Sequence, residues 1–219
     1  MPAVVTGSGA QQVNGVGWAA NGLGYETHFI GGNPTALILP NGTTLVMYRG
    51  GGGNHTQCRK LGVVVRGNST DPKVPSDGNG YPGCTVVGLA RADHWAGPYS
   101  IVGGPAIPFQ QEDFYLFKNK RGFHALFHGM DPWPGDITGG RHAYSEDGLT
   151  CFGGDVNALN GTANLAGSRT MELVRRERPE LVHDTVSGEP VALISGVQGP
   201  AGEWSGDQTF TLIQGVDLS

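Results

Sequence analysis

Short apolar runs alternate with clusters of Gly, Pro, Asn and Asp along most of the chain. None of the runs carries the 3.6-residue periodicity of a long helix, and the pattern predicts strands joined by turns. The first clear unit has a strand at 35–39, a turn at Pro40-Asn41-Gly42-Thr43 and a returning strand at 44–49. Asn-Gly between apolar runs is a strong hairpin signal, because both residues tolerate a positive φ. A strand is expected at 61–65, a polar loop at 67–83 and a strand at 85–92. A turn at 94–99 follows and leads into 100–102; Trp95 in it is expected to pack between sheets, with a sugar-stacking platform as the alternative. The second unit has strands at 114–118, 123–128 and 141–145, turns at 119–122 and 146–148, and an outer strand at 149–152. The third has strands at 179–183, 190–195 and 208–214. Residues 1–31 are Gly- and Asn-rich and remain unassigned beyond a strand or two around Trp18 and Tyr25–Ile30.

The three units open alike. Asn33-Pro34, Glu112-Asp113 and Glu177-Arg178-Pro179 each precede an apolar run, a turn and a second run. Aligned on Leu37, Leu116 and Leu181, they bring Asn33, Glu112 and Glu177 into correspondence, with Asp113 the equivalent if the register slips by one. A repeated antiparallel unit of about four strands is the signature of a β-propeller blade. The fold class is therefore read as all-β, a β-propeller of four-stranded antiparallel blades. Residues 1–219 form one domain with blade-like units at 32–105, 112–157 and 177–215. The units recur every 65–80 residues or so, which leaves room for little more than three blades where closure takes about 4–8. Either the first residues and the tail supply degenerate blades, or the ring is incomplete.

Composition narrows the function. The net charge is −5, which disfavours nucleic acid and anionic membranes as partners. No apolar run reaches transmembrane length, and residues 1–14 lack the basic and apolar regions of a signal peptide. Cys58, Cys84 and Cys151 are either three separate thiols or a Cys58–Cys84 disulfide with Cys151 free. Sequons at Asn41, Asn54, Asn68 and Asn160 exceed the one or two or so expected by chance and lean towards an extracellular, secreted glycoprotein. Ser145 and Ser195 lack a Gly-x-Ser-x-Gly setting, and no phosphate-binding or dinucleotide motif is present. No Cys or His/Asp cluster has metal-ligand spacing, so no metal site and no cofactor are assigned.

In a propeller the first strand of each blade lines the central channel, so the three openings would converge on one pocket. Glycoside hydrolysis needs two carboxyl groups, one protonated and one ionised. Glu177, Asp113 and Glu112 are the catalytic candidates. Asn33, Arg178, His142, His128 and Trp133 are candidates for binding a carbohydrate. Arginines beside Glu177 lower its pKa, so an acid role there needs burial or a neighbouring carboxylate; the alternative is that the arginines of 175–178 bind substrate hydroxyls or a carboxylate.

The stretches Asn33-Pro34 with Leu39-Pro-Asn-Gly, Glu112-Asp113-Phe-Tyr-Leu-Phe, His142-Ala-Tyr-Ser-Glu-Asp-Gly and Glu177-Arg-Pro resemble the five-bladed β-propeller glycoside hydrolases of the family 43, 62, 32 and 68 group, family 43 above all. The resemblance covers roughly 32–215. It implies a hydrolase in which Glu177 is the general acid and Asp113 tunes its pKa and orients substrate. It also implies that a cation in the central channel is an option. Asn33 stands where that group has a basic Asp, and Phe114 follows Asp113 where Pro is usual. A second reading is therefore a non-catalytic carbohydrate-binding propeller or pseudoenzyme. A third is a structural or interaction propeller with no sugar role.

Overall fold

Side chains along β5 (Gln110–Asn119) and β6 (Gly122–Asp131) alternate between two cores. Phe114, Leu116, Phe123, Ala125 and Phe127 join Leu45, Met47, Val87 and Leu89 in one cluster. Tyr115, Phe117 and Leu126 join Leu181 and Leu193 in another. The period of two in a strand produces this split, and it makes the second sheet the middle layer of three. The computed structural model describes residues 32–51, 85–102, 106–107, 110–131, 139–150, 152–165, 167, 169–199 and 209–216. The expected strands at 1–31 and 61–65, the Cys58–Cys84 pair, Cys151, the sequons at Asn54 and Asn68, and Trp133 lie outside them.

The first sheet runs β1 (Gly32–Ile38), β2 (Thr44–Gly51), β3 (Thr85–Ala92), β4 (Ser100–Ile101) in consecutive order. The second is β5, β6, β7 (Gly140–Ser145), β8 (Gly153–Leu159), also consecutive. The third is β11 (Arg175–His183), β12 (Pro190–Gln198), β13 (Thr209–Gly215). A two-stranded ribbon, β9 (Thr162–Leu165) with β10 (Arg169–Glu172), packs Ala163 and Leu173 against Val197 and Leu212 of the third sheet. Every pairing is antiparallel. The described residues are all-β with antiparallel four-stranded sheets, and they do not close a propeller ring.

The hairpin turns follow their side chains. Asn41 accepts the Thr43 N–H at 3.1 Å. Asp184 accepts the N–H groups of Val186 and Ser187 at 3.0 and 2.7 Å. Turn chemistry also corrects the outer strand expected at 149–152. Asp147 accepts N–H bonds from Leu149 and Thr150, both at 2.8 Å, and holds 146–150 in a bend. The fourth strand comes later, at Gly153–Leu159. Trp95 is 48 % exposed on its turn, its ring tilted against His94 at 5.3 Å, and does not pack between the sheets.

Gly139 lets the start of β7 pass close to the end of β8. A Cβ there would sit 2.0 Å from the Leu159 carbonyl oxygen, a backbone atom that cannot swing away. Gly139→Ala is expected to cost about 2 kcal/mol or more, read as a lower urea midpoint with an unchanged m-value.

Candidate active site

β5 sits between β1 and β11, and the connections between them are direct. The Thr35 hydroxyl accepts the Leu116 N–H at 3.3 Å, and the Tyr115 hydroxyl donates to the Leu181 carbonyl at 3.2 Å. The three polar openings therefore lie side by side, but inside the strands rather than ahead of them. Each strand carries a β-bulge at the opening. Asn33 and Pro34 oppose Tyr48, Asp113 and Phe114 oppose Phe127, and Arg178 and Pro179 oppose Ser195. The first bulge residue has a left-handed backbone each time, with φ of 54° at Asn33, 56° at Asp113 and 52° at Arg178. Non-glycine residues seldom adopt this conformation, and Asn and Asp do so most readily. Its recurrence in three sheets marks a shared device, since bulges re-aim side chains next to functional sites.

The bulges also settle the register. Asn33, Asp113 and Arg178 are equivalent, and Gly32, Glu112 and Glu177 are the positions before them. The alignment of Asn33 with Glu112 and Glu177 was one residue out in the second and third units.

An unbroken strand sends successive side chains to opposite faces. The bulge brings Glu112 and Asp113 together: their carboxylate oxygens and a ring nitrogen of His128 all lie within 4.8 Å of one another. Asn33 Nδ2 donates to Asp113 Oδ1, and Arg178 Nε stands 3.8 Å from the same oxygen. Arg49 pairs with Glu112. His128 Nδ1 is 3.6 Å from Glu112 Oε1 and 3.8 Å from Glu177 Oε1, so one buried imidazole stands between the two carboxylates. Arg175 holds Glu177 at 2.9 Å. Asn33, Glu112, Asp113, His128, Glu177 and Arg178 are thus gathered at one end of the three sheets.

Burial splits the two adjacent acids. Asp113 is pushed above its ordinary pKa, first by desolvation and then by the charge of Glu112, with Arg178 opposing. Desolvation also acts on Glu112. There the adjacent His128 ring and the charges of Arg49, His128 and Arg175 outweigh it, and its pKa is lowered. The two shifts have opposite signs, so Asp113 holds a proton more readily than its neighbour Glu112, the direction expected of two carboxyls sharing one site.

Two clefts open onto this cluster. One, of about 200 Å³, is lined by Asn33, Pro34, Asp113, Phe114 and Arg178 among others. The other, of about 340 Å³, is lined by Arg175, Glu177, Arg178, Gln198, Phe210 and neighbouring residues. Arg178 borders both. Glu112, Asp113 and His128 are the described residues whose spacing suits a cation. Such an ion would compete with Arg49 and Arg178 for the two carboxylates.

His142 is placed elsewhere. Its Nε2 is 2.8 Å from Nδ1 of His124, whose other nitrogen meets Asn119 Oδ1 at 2.9 Å. Phe117 stacks on the His124 ring at 4.9 Å, and Tyr144 packs beside it. Desolvation, then the neighbouring His142 and Arg121, depress His124 from 6.5 to about 4, and desolvation lowers His142. The folded state thus resists protons that the unfolded chain accepts from pH 6.5 downwards. Stability contributed by the neutral pair is full above pH 6.5 and is lost as pH falls towards about 4. The urea midpoint is expected to drop between pH 7 and pH 5, and less steeply in His124→Gln.

Two members of the cluster escaped the sequence reading. Arg49 follows Leu45 and Met47 in the buried phase of β2, and a charge in that phase is a signal that it has a partner. Arg175 was not set apart from the other arginines near Glu177. Arg176, in the same run, is structural: it is buried and bonds Ser195 at 3.3 Å and Gln214 at 2.6 Å.

No family model and no curated protein matches the chain. Among solved structures it is similar to a polysaccharide lyase of family PL25, an ulvan lyase bound to -[GlcA(1-4)Rha3S]-. The TM-score is 0.42 at 14 % identity, over 77 % of this chain and 32 % of that one. The chain therefore spans about a third of that neighbour's length.

Proposed function

We propose that the protein is a carbohydrate-active enzyme that cleaves glycosidic bonds with paired carboxyl groups, on sheets that are successive blades of a β-propeller. The observation that carries this reading is the convergence of Asp113, Glu112 and Glu177 around His128, brought about by the repeated bulges. Glu112 and Asp113 stand on the same strand and within 4.8 Å, so they act from one side of a ligand. Glu177, on the neighbouring sheet and ion-paired to Arg175, supplies the second carboxylate from across His128. The resemblance to family 43 assigns the acid role to Glu177, whereas the electrostatics favour Asp113 as proton donor. The charge of Glu112, anchored by Arg49, raises the proton affinity of Asp113. Asn33 orients Asp113 and cannot itself serve as a base.

A second reading is non-catalytic carbohydrate binding at the same clefts. It is favoured by Asn33 and by the close balance of arginines and carboxylates in the cluster. Incubation of the purified protein with a broad glycan panel separates the two readings. Release of new chain ends that is lost in Glu177→Gln is expected. Binding without release would favour the second reading.

A further inference from the structure

The larger cleft has a charge opposite to that of the molecule. The chain carries a net −5, yet this cleft is lined by two guanidiniums, Arg175 and Arg178, against one carboxylate, Glu177. Both arginines make an internal ion pair and yet stay open to solvent. The side chain of Arg175 is 48 % exposed while it holds Glu177, and that of Arg178 is 74 % exposed with only its Nε near Asp113. A guanidinium offers five N–H donors in a fixed fork that suits the paired oxygens of a carboxylate or sulfate. Arg178 also occupies the left-handed bulge position that Asn and Asp take in the sister sheets, a conformation for which arginine has no intrinsic preference. The strained backbone lets Glu177 and Arg178, adjacent in sequence, line the same cleft. Phe210, 41 % exposed, lines the same cleft and offers it an aromatic face. An aromatic face with charged donors in the same cleft suits a sugar ring that carries an anionic group. The cleft volume, about 340 Å³, lies at the lower end of the range for small-ligand sites.

We infer that this cleft binds an acidic saccharide, with Arg178 and Arg175 clamping a carboxylate or sulfate on the sugar and Phe210 stacking on its ring. This rests on the carbohydrate reading above and specifies the ligand class for that site. The anion docks beside Glu177, so the arginines select acidic units at the position next to the reacting carboxyls.

The test is a binding titration of the full chain against neutral polymers (arabinan, galactan), uronate polymers (polygalacturonate, alginate) and a sulfated polymer (carrageenan). Acidic polymers are expected to bind and neutral ones to bind weakly, with affinity falling as salt rises. Preference for uronates over carrageenan assigns the clamp to carboxylate, and the reverse assigns it to sulfate. Arg178→Asn places in this bulge the residue that β1 already carries at the equivalent position, so the fold should tolerate it. It and Arg175→Gln are each expected to weaken acidic binding about tenfold or more. Arg91→Gln, at a distant exposed ion pair, should leave binding unchanged. Tight binding of neutral polymers, unaffected by Arg178→Asn, would overturn the inference and leave the carbohydrate reading standing. Binding to no glycan at all would overturn both.

Discussion

Asp113→Asn is expected to lower glycan cleavage by about 10²–10⁴-fold, the usual contribution of a positioned general acid, with stability unchanged or slightly raised. The two halves of this expectation have different origins. Stability holds because the amide keeps an oxygen to accept the Asn33 bond, and because Asn already occupies the same bulge in β1 at φ 54°. The raised pKa of Asp113 means that its ionised form costs stability near neutrality, and an amide removes that cost. Activity falls because the amide cannot deliver a proton to a leaving oxygen. Rates and thermal unfolding of the same preparation separate the two. Full turnover in a folded Asp113→Asn variant would remove Asp113 from the chemistry.

Arg49→Met is expected to destabilise the protein by about 3–5 kcal/mol, the range for breaking one side of a buried ion pair. The side chains of Arg49 and Glu112 are only 10 % and 13 % exposed. Loss of the guanidinium leaves a carboxylate whose lowered pKa depended in part on it. That pKa would rise, and Asp113 would no longer face a firmly ionised neighbour. Cleavage, if the variant folds, should therefore shift its pH dependence as well as its rate. The double variant Arg49→Met with Glu112→Gln removes the orphaned charge and should recover most of the stability but not the activity. Guanidinium or urea unfolding of the two single variants and the double variant measures the coupling directly. Equal losses in the single and double variants would show that the pair is not the source of the effect.

Many of the hairpins were legible in the chain. The Asn41-Gly42 and Asp184–Gly188 turns carry their own side-chain bonds, so local chemistry placed those hairpins. The apolar runs at 114–118 and 123–128, with the turn at 119–122 between them, identified the hairpin that forms the first two strands of the middle sheet. The bulges were not legible. A bulge is defined by two residues facing one on a partner strand, and no period within a single strand reveals the extra residue. Their positive φ also gave little away, because Asn33 and Asp113 are common in turns and Arg178 has no turn preference at all. The consequence was a one-residue error in aligning Glu112 and Glu177 with Asn33. The outer strand of the second sheet was misplaced because Leu149, Cys151 and Phe152 look like strand residues, while Asp147 spends its carboxylate on holding the chain bent. The arginine partners of the site depend on contacts such as Arg49 with Glu112, 63 positions apart, which no local pattern encodes. His142 was named as a carbohydrate-binding candidate and opens one of the stretches that carry the family resemblance, yet it faces His124 across neighbouring strands.

The division of charge between two adjacent acids is the claim on which the chemistry turns. Carbon-13 NMR titration of the side-chain carboxyls, assigned with Asp113→Asn and Glu112→Gln, reads it without a substrate. Asp113 should take up its proton above the ordinary aspartate range, and Glu112 should release its own below the ordinary glutamate range. Glu112 holding its proton to a higher pH than Asp113, or both titrating as free side chains, would contradict the account.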